Sequence, residues 1–378
     1  MVENAIVVNL PTSPILLVQI VPMRRFAGKR VIALLPGLIL NFLAIISSAQ
    51  SANPQEAQEA TVSRIWFAEP GDTSLNRWDP RQLFEDAGLI KEWDGQKVVL
   101  VRQGTKREIT TPGDFVVRIE PAWSNETAEQ IHRSFSDRQY AAVVKQGNDA
   151  IKSGLPRWQQ RVILSEIIEA CSALGKPRIA GILFVSLAKE NPPQLLLSTI
   201  PIPWGETALL DSNVSEVQNL SEEWIKQDSE AAQLLGAAWL LSGAKRPSAI
   251  EKLEQLAKSS KIPIVSAYAQ AQLWRIVPPA EILSDRLPRW IVERDKLLLP
   301  LQAGPTMLLA DRLQQAGQPN LAIPEWLRVA TLHSNRYHLA TKAIPKAAAA
   351  LQTAKRNEEA DRVQSMLDQF KPKTESSK

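Results

Sequence analysis

Four times along this chain a residue is answered, twelve positions later, by an alanine, and each pair straddles the gap between two amphipathic helical runs. Ala310 and Ala322 form the clearest copy, in LADRLQQAGQPNLAIPEWLRVATLHS. Ala237 with Ala249, and Ala348 with Ala360, repeat the spacing. Ile168 with Ala180 is a weaker copy, because its first residue is not small. Paired helices need small side chains where they cross, so a regular spacing of such residues marks an array of stacked helix pairs.

The unit resembles the tetratricopeptide (TPR) repeat, a helix–turn–helix of about 34 residues. That family sets a small residue in helix A, an alanine twelve positions on in helix B, a bulky apolar residue four further, and a closing proline. Here Phe184, Leu253 and Trp326 follow Ala180, Ala249 and Ala322 by four positions, whereas Gln364 follows Ala360 and departs from the pattern. Pro192 and Pro372 stand where the closing proline belongs, Pro263 lies two positions late, and Ser334 replaces it in the copy of Ala310. The resemblance makes Ala180, Phe184, Ala237, Ala249, Leu253, Ala310, Ala322, Trp326, Ala348 and Ala360 the repeat-packing residues. The copies cover 161–194, 230–263, 303–336 and 341–374. The resemblance implies an α-α superhelix, a TPR-like solenoid, whose concave face is lined by helix A of each unit and holds a protein or peptide. An unrelated helical bundle is the other reading of the same spacing.

The chain opens on a different signal. Arg24, Arg25, Lys29 and Arg30 precede an apolar run over 31–46, then the small residues Ser47 and Ala49. A basic stretch, a short apolar core and small residues at a cleavage spacing read as a secretory signal. A retained anchor is the alternative, but Pro36 and Asn41 interrupt the run, which falls short of the roughly 20 residues that span a bilayer. The reading is export to the periplasm or cell envelope, with 1–52 as the targeting segment, Met23 as the natural start and a mature end near Gln50 or Asn53. Membrane contact is then expected only through that segment. Residues 1–52 hold four of the 44 basic groups and one of the 40 acidic ones, so the rest of the chain is close to neutral. A neutral chain with no basic stripe and no zinc-finger spacing speaks against nucleic acid.

After a polar linker at 53–61, the texture over 62–121 is strand-like. Asp94-Gly95 fits a tight hairpin. Gln103 to Lys106 and Thr111-Pro112-Gly113 fit two further turns. The run KVVLVR is apolar on both faces, so that strand should be covered on both sides. About five short strands suggest a small barrel, similar in shape to SH3-like barrels. DPRQLFEDAG reads as a helical turn or an extended loop. SNET before residue 127 reads as a helix N-cap, so the helical part begins near 124 and runs to 374.

Pro201, Pro203 and Gly205 exclude a long helix within 195–229, which reads as an insertion or a loop laid across the array. Residues 264–300 read as one more degenerate helix pair, and 375–378 as a polar tail. Trp239, Trp274, Trp290 and Trp326 read as packing between helices, with a ligand stripe as the alternative. Trp66, Trp78, Trp93 and Trp123 fit the β-core and its seam with the helices. The lone cysteine, Cys171, reads as a buried thiol with no basic neighbour to activate it. His132, His333 and His338 are the only histidines. The last two are five apart in HSNRYH, a poor spacing for helical metal ligands, and read as solvated loop residues. No nucleophile, phosphate-loop or metalloprotease motif is present.

The sequence therefore reads as an α+β, multidomain chain: a small N-terminal β-barrel followed by a TPR-like solenoid. The expected role is an exported protein–protein interaction or scaffold protein, non-enzymatic and without cofactor or metal. The alternative is an envelope glycan-binding or hydrolytic protein, with its site between the β-domain and the insertion around Trp204.

Overall fold

The computed structural model describes residues 62–68, 83–205 and 214–371. The expected targeting segment at 1–52, the linker at 53–61, Trp78, Pro372 and 375–378 lie outside the described residues.

Five antiparallel strands come first: β1 (Ser63–Ala68), β2 (Leu83–Trp93), β3 (Lys97–Arg102), β4 (Glu108–Pro112) and β5 (Val116–Glu120), in the order β4-β3-β2-β1-β5. The β2–β3 hairpin turns at Asp94, whose carboxylate accepts from the backbone N–H groups of Gln96 (2.7 Å) and Lys97 (2.9 Å). In β3, Val98, Val99 and Leu100 are all buried, so both faces of that strand are covered. The segment LFEDAG, expected as a helical turn or loop, is the first half of β2 and pairs along β1 from Ala68–Leu83 to Ser63–Gly88.

The sheet is not the closed barrel expected. A single 3-10 turn, Gly113–Phe115, carries the chain from β4 to β5, which are opposite edges. Flat, five strands would hold those edges about 19 Å apart. The link from Pro112 to Val116 reaches at most about 14 Å. The sheet must therefore curl, yet β4 and β5 form no ladder, and it stays open.

Helices follow: α1 (Glu126–Ser136), α2 (Tyr140–Lys152), α3 (Arg157–Ala173), α4 (Pro177–Ala188), the single turn α5 (Gln194–Leu197), α6 (Val214–Trp224), α7 (Glu230–Leu240), α8 (Arg246–Ser259), α9 (Pro263–Leu273), α10 (Leu287–Asp295), α11 (Ala303–Gln315), α12 (Pro319–Leu332), α13 (Tyr337–Thr353) and α14 (Asn357–Ser365). Asn125 caps α1, its side chain accepting from the Ala128 N–H at 2.9 Å. The four twelve-residue copies fall on the hairpins α3–α4, α7–α8, α11–α12 and α13–α14, each packed helix on helix. A fifth hairpin, α1–α2, carries Ile131 and Val143 at the same spacing, both buried, with bulky residues in place of small ones. Over 264–300, α9 and α10 do pack on one another, but 3-10 and π turns separate them.

Four of these hairpins turn in the same way. Arg138, Gly175, Gly317 and Lys355 all have positive φ (63°, 66°, 72° and 61°), each five residues before the second key position. The next backbone N–H reaches back to a carbonyl in the last helical turn: Gln139 to Ser134, Lys176 to Cys171, Gln318 to Leu313, and Arg356 to Leu351. These are Schellman caps, which satisfy carbonyls that a helix end leaves open. Two of the four use glycine, whereas Arg138 and Lys355 hold the left-handed conformation with a side chain.

The array closes on itself. α7 packs on α9, α9 on α11, α11 on α13, and α13 returns to α3. Arg138 donates to the Gln369 carbonyl and lies over the Phe370 ring, and Tyr140 packs edge-on against Tyr337 at 5.0 Å. The sheet sits on the start of this ring. The Trp158 indole donates to the Ile90 carbonyl (3.1 Å), and Arg161 to that of Trp93 (2.8 Å).

Candidate functional site

A TPR-like reading puts the site on the inner face, and there the chain is its own occupant. After α5 the chain turns at 198–199 and runs on to 205 without helix or strand, buried throughout and crossing the ring. Prolines forbid a helix here and leave carbonyls as the polar groups to satisfy. Inner helices supply the donors: Trp239 of α7 to the Pro201 carbonyl (2.9 Å) and Gln272 of α9 to that of Pro203 (3.3 Å). Trp204 meets Tyr268 edge-on at 4.8 Å. It also lies flat against Gly304, where a Cβ would come within 2.1 Å of the indole. Within 195–229, residues 198–205 are thus a strap through the ring, and from 214 an ordinary helix, α6, packs on α7.

The key repeat residues lie around this strap or behind it. Ala180, Phe184, Ala237, Ala249, Leu253, Ala310, Ala322, Trp326, Ala348 and Ala360 are each 4% exposed or less. Trp326 has a polar role besides: its indole donates to Asp311 (2.9 Å), whose other oxygen accepts from Lys346 of α13 (2.6 Å).

Where the ring closes, α3 turns two carboxylates to two neighbours. Glu166 meets His132 of α1 at 2.5 Å, and Glu169 meets His338 of α13 at 2.7 Å and Arg336 at 3.3 Å. Arg336 also donates to Ser198 at the start of the strap. Burial alone would raise the Glu169 pKa, but the charges and hydrogen bonds of His338 and Arg336 outweigh it and hold the group below its ordinary value. Burial lowers the His132 pKa, and Glu166 more than reverses the effect, so the imidazole is shifted upward. Sequence reasoning missed this pair. The available signal was two glutamates three apart on an otherwise apolar helix, SEIIEAC, where an unpaired charge could not be buried.

His333 and His338 are not the solvated loop residues expected. His333 is buried, and its pKa falls to about 4 through burial and the nearby Arg328, Arg336 and Arg294. His338 is tied to Glu169, so the two serve packing and closure separately. No cluster of metal-ligating side chains occurs among the described residues. Cys171 is buried, and burial pushes its thiol up to about 12. Trp274 and Trp290 stack at 5.0 Å, and Trp239 and Trp326 are likewise buried. Trp93 is fully buried in the sheet, Trp66 lies under Arg118, and Trp123 packs near His132 at the seam.

A cleft among the described residues opens to solvent. It lies between α9 and α10, has a volume of about 440 Å³, and is floored by Ala267, Ala271, Trp274, Leu297 and Pro305. Lys261, Gln270, Glu293 and Lys296 stand around it. Apolar walls with a few polar groups, at this volume, are the usual make-up of a ligand site. The irregular link at 274–286 keeps α10 from nesting on α9, which is why the space exists.

No family model matches this chain, and searches of curated proteins and of solved structures find no match either. Among the described residues no helix is long and apolar enough to cross a membrane.

Proposed function

We propose that this chain is an exported scaffold that binds other proteins through a TPR-like helical array headed by an SH3-like sheet. The recurring Schellman turn, five residues before each second key position in four hairpins, supports the TPR-like reading. The order β4-β3-β2-β1-β5, with a 3-10 turn between β4 and β5, supports the SH3-like one. The partner is taken from outside the ring, because the inner face is filled by residues 198–205. The observation that carries this reading is the α9–α10 cleft, an apolar recess open to solvent on the outside of the array. The competing glycan-binding or hydrolytic reading needs Trp204 at an accessible site, and that indole is buried against Gly304.

The test is affinity capture from the envelope fraction with the native chain and with Ala267→Trp, which fills the cleft. A protein that co-purifies with the native chain should be lost with the variant. An identical set of captured proteins from both chains would refute the reading.

A further inference from the structure

The α9–α10 cleft has a chemistry that selects among protein ligands. Its floor is apolar: the methyl groups of Ala267 and Ala271, the Trp274 ring, Leu297 and Pro305. The volume of about 440 Å³ is enough for two or three side chains rather than a whole helix. The charges around it are uneven. Lys261 stands at the α8–α9 turn and Lys296 just past the end of α10, and both are exposed. Neither makes a salt bridge among the described residues, and Lys296 lies near enough to Glu293 to lower its pKa. Arg289 adds a third positive charge close to Glu293. Arg294, which also lines the cleft, is already held by Asp295 and Glu325. Among the residues that line the cleft the one acid is Glu293, whose pKa is raised by burial, so that its negative charge is the costlier form; Asp295 and Glu230 lie close by, held by Arg294 and by Ser260. An ammonium or guanidinium entering here would meet like charges. An acidic group flanking an apolar anchor would meet two exposed lysines.

Resting on the protein-binding reading above, we infer that the cleft takes a short peptide segment of a partner in which two or three bulky apolar residues are flanked by aspartate or glutamate. The apolar side chains fill the recess against Trp274 and Leu297. The flanking carboxylates lie at Lys261 and Lys296, where their attraction is exposed to solvent and screened by salt. Gln270, half-buried on the α9 wall, offers both a donor and an acceptor to the peptide backbone.

The experiment uses the full chain and two fluorescein-labelled peptides, Asp-Glu-Leu-Phe-Leu-Glu-Asp and its charge-reversed partner Lys-Arg-Leu-Phe-Leu-Arg-Lys, followed by anisotropy. The acidic peptide should bind at least about tenfold more tightly, and the preference should shrink as salt rises. Lys261→Glu with Lys296→Glu should erase or invert the preference while leaving the melting temperature in place, since both side chains are exposed. Ala267→Trp should abolish binding of both peptides; Gln270→Trp, on the same wall, serves if Ala267→Trp does not fold. Binding of both peptides without preference, lost on filling the cleft, would overturn the acidic specificity and leave the protein-binding reading standing. Acidic-peptide binding that survives both filling variants would place the site elsewhere and overturn the inference. Vesicles of anionic phospholipid that bind with the same dependence on these variants, while neither peptide does, would overturn both readings.

Discussion

The helices that form the inner ring and those that form its outer layer carry the same twelve-residue spacing but live in different solvents. In α11 and the residues before it, every position from 301 to 313 is buried, including Thr306, Asp311 and Arg312. In α3 the same holds from 162 to 171. The outer α8 buries only Ala249, Leu253 and Leu256, and α14 only Ala360 and Val363. A helix apolar all round is a buried helix, and one with a single stripe lies on a surface. The difference teaches that hairpin packing accounts for one face of each helix. The second face of the inner helices is covered by ring closure and by the strap, contacts made far away in sequence.

The strap offers the strongest way to break that comparison. Trp204→Ala should cost about 3–5 kcal/mol, the range for emptying a buried tryptophan site, measured by denaturant titration. Leu321→Ala, at an exposed position of the outer α12, should stay within about 0.5 kcal/mol. Equal effects at the two positions would mean that the strap is not part of the core. Gly304→Ala should also destabilise, since a Cβ would overlap the Trp204 indole, and the two inner substitutions should be less than additive because they share one contact.

Closure of the ring can be tested through Glu169. Its folded pKa lies below the ordinary carboxylate value, so its contribution is present above about pH 4.5 and is lost as the pH falls through the folded pKa. Glu169→Gln should cost roughly 3 kcal/mol at neutral pH, because Arg336 stays buried without its counter-charge. The gap in melting temperature between variant and native chain should narrow on acidification below that pH. A gap that stays constant down to pH 3 would show that the carboxylate is not what the closure uses. His132 has the opposite sign: its raised pKa contributes fully below about pH 6.5 and is lost as the pH rises through the folded value.

The smallest effect concerns the hairpin turns, which inner and outer helices share. Lys355→Gly should stabilise by about 0.5–1 kcal/mol, because glycine takes positive φ without the Cβ clash. Gly317→Ala should destabilise by a similar amount. A neutral Lys355→Gly would indicate that the lysine stem recovers the backbone cost by packing on its neighbours.

The hairpins were legible because their signals are local. A small residue, a turn and an alanine at fixed spacing describe contacts between helices adjacent in sequence, and Asp94-Gly95 describes its own turn. The pattern faltered where packing was met by other means. α1–α2 went unread because Ile131 and Val143 replace the small residues. The last copy was started at Thr341, while α13 begins at Tyr337 and continues through Pro345. The β2 segment LFEDAG is unreadable as strand because its adjacent acids satisfy no period-two pattern; they point to opposite faces, Glu85 exposed and Asp86 part-buried and held by Arg102.

What residue order determined alone was the unit: helix pairs with buried alanines, short antiparallel strands ahead of them, and a proline-broken stretch between the first and second copies. Tertiary structure decided the rest. Whether five strands close into a barrel depends on edges that never adjoin in sequence, and here β4 and β5 stay apart. Whether a helical array is open depends on the sum of small rotations between its units, which no single repeat encodes. In this chain that sum brings α13 back to α3, and Glu169, Arg336 and His338 secure the meeting. The prolines of 198–205 said only that the segment could not be a helix. That it would fill the ring follows from Trp239, Gln272 and Gly304, which lie 38, 69 and 100 residues from their partners and meet them only once the ring has formed.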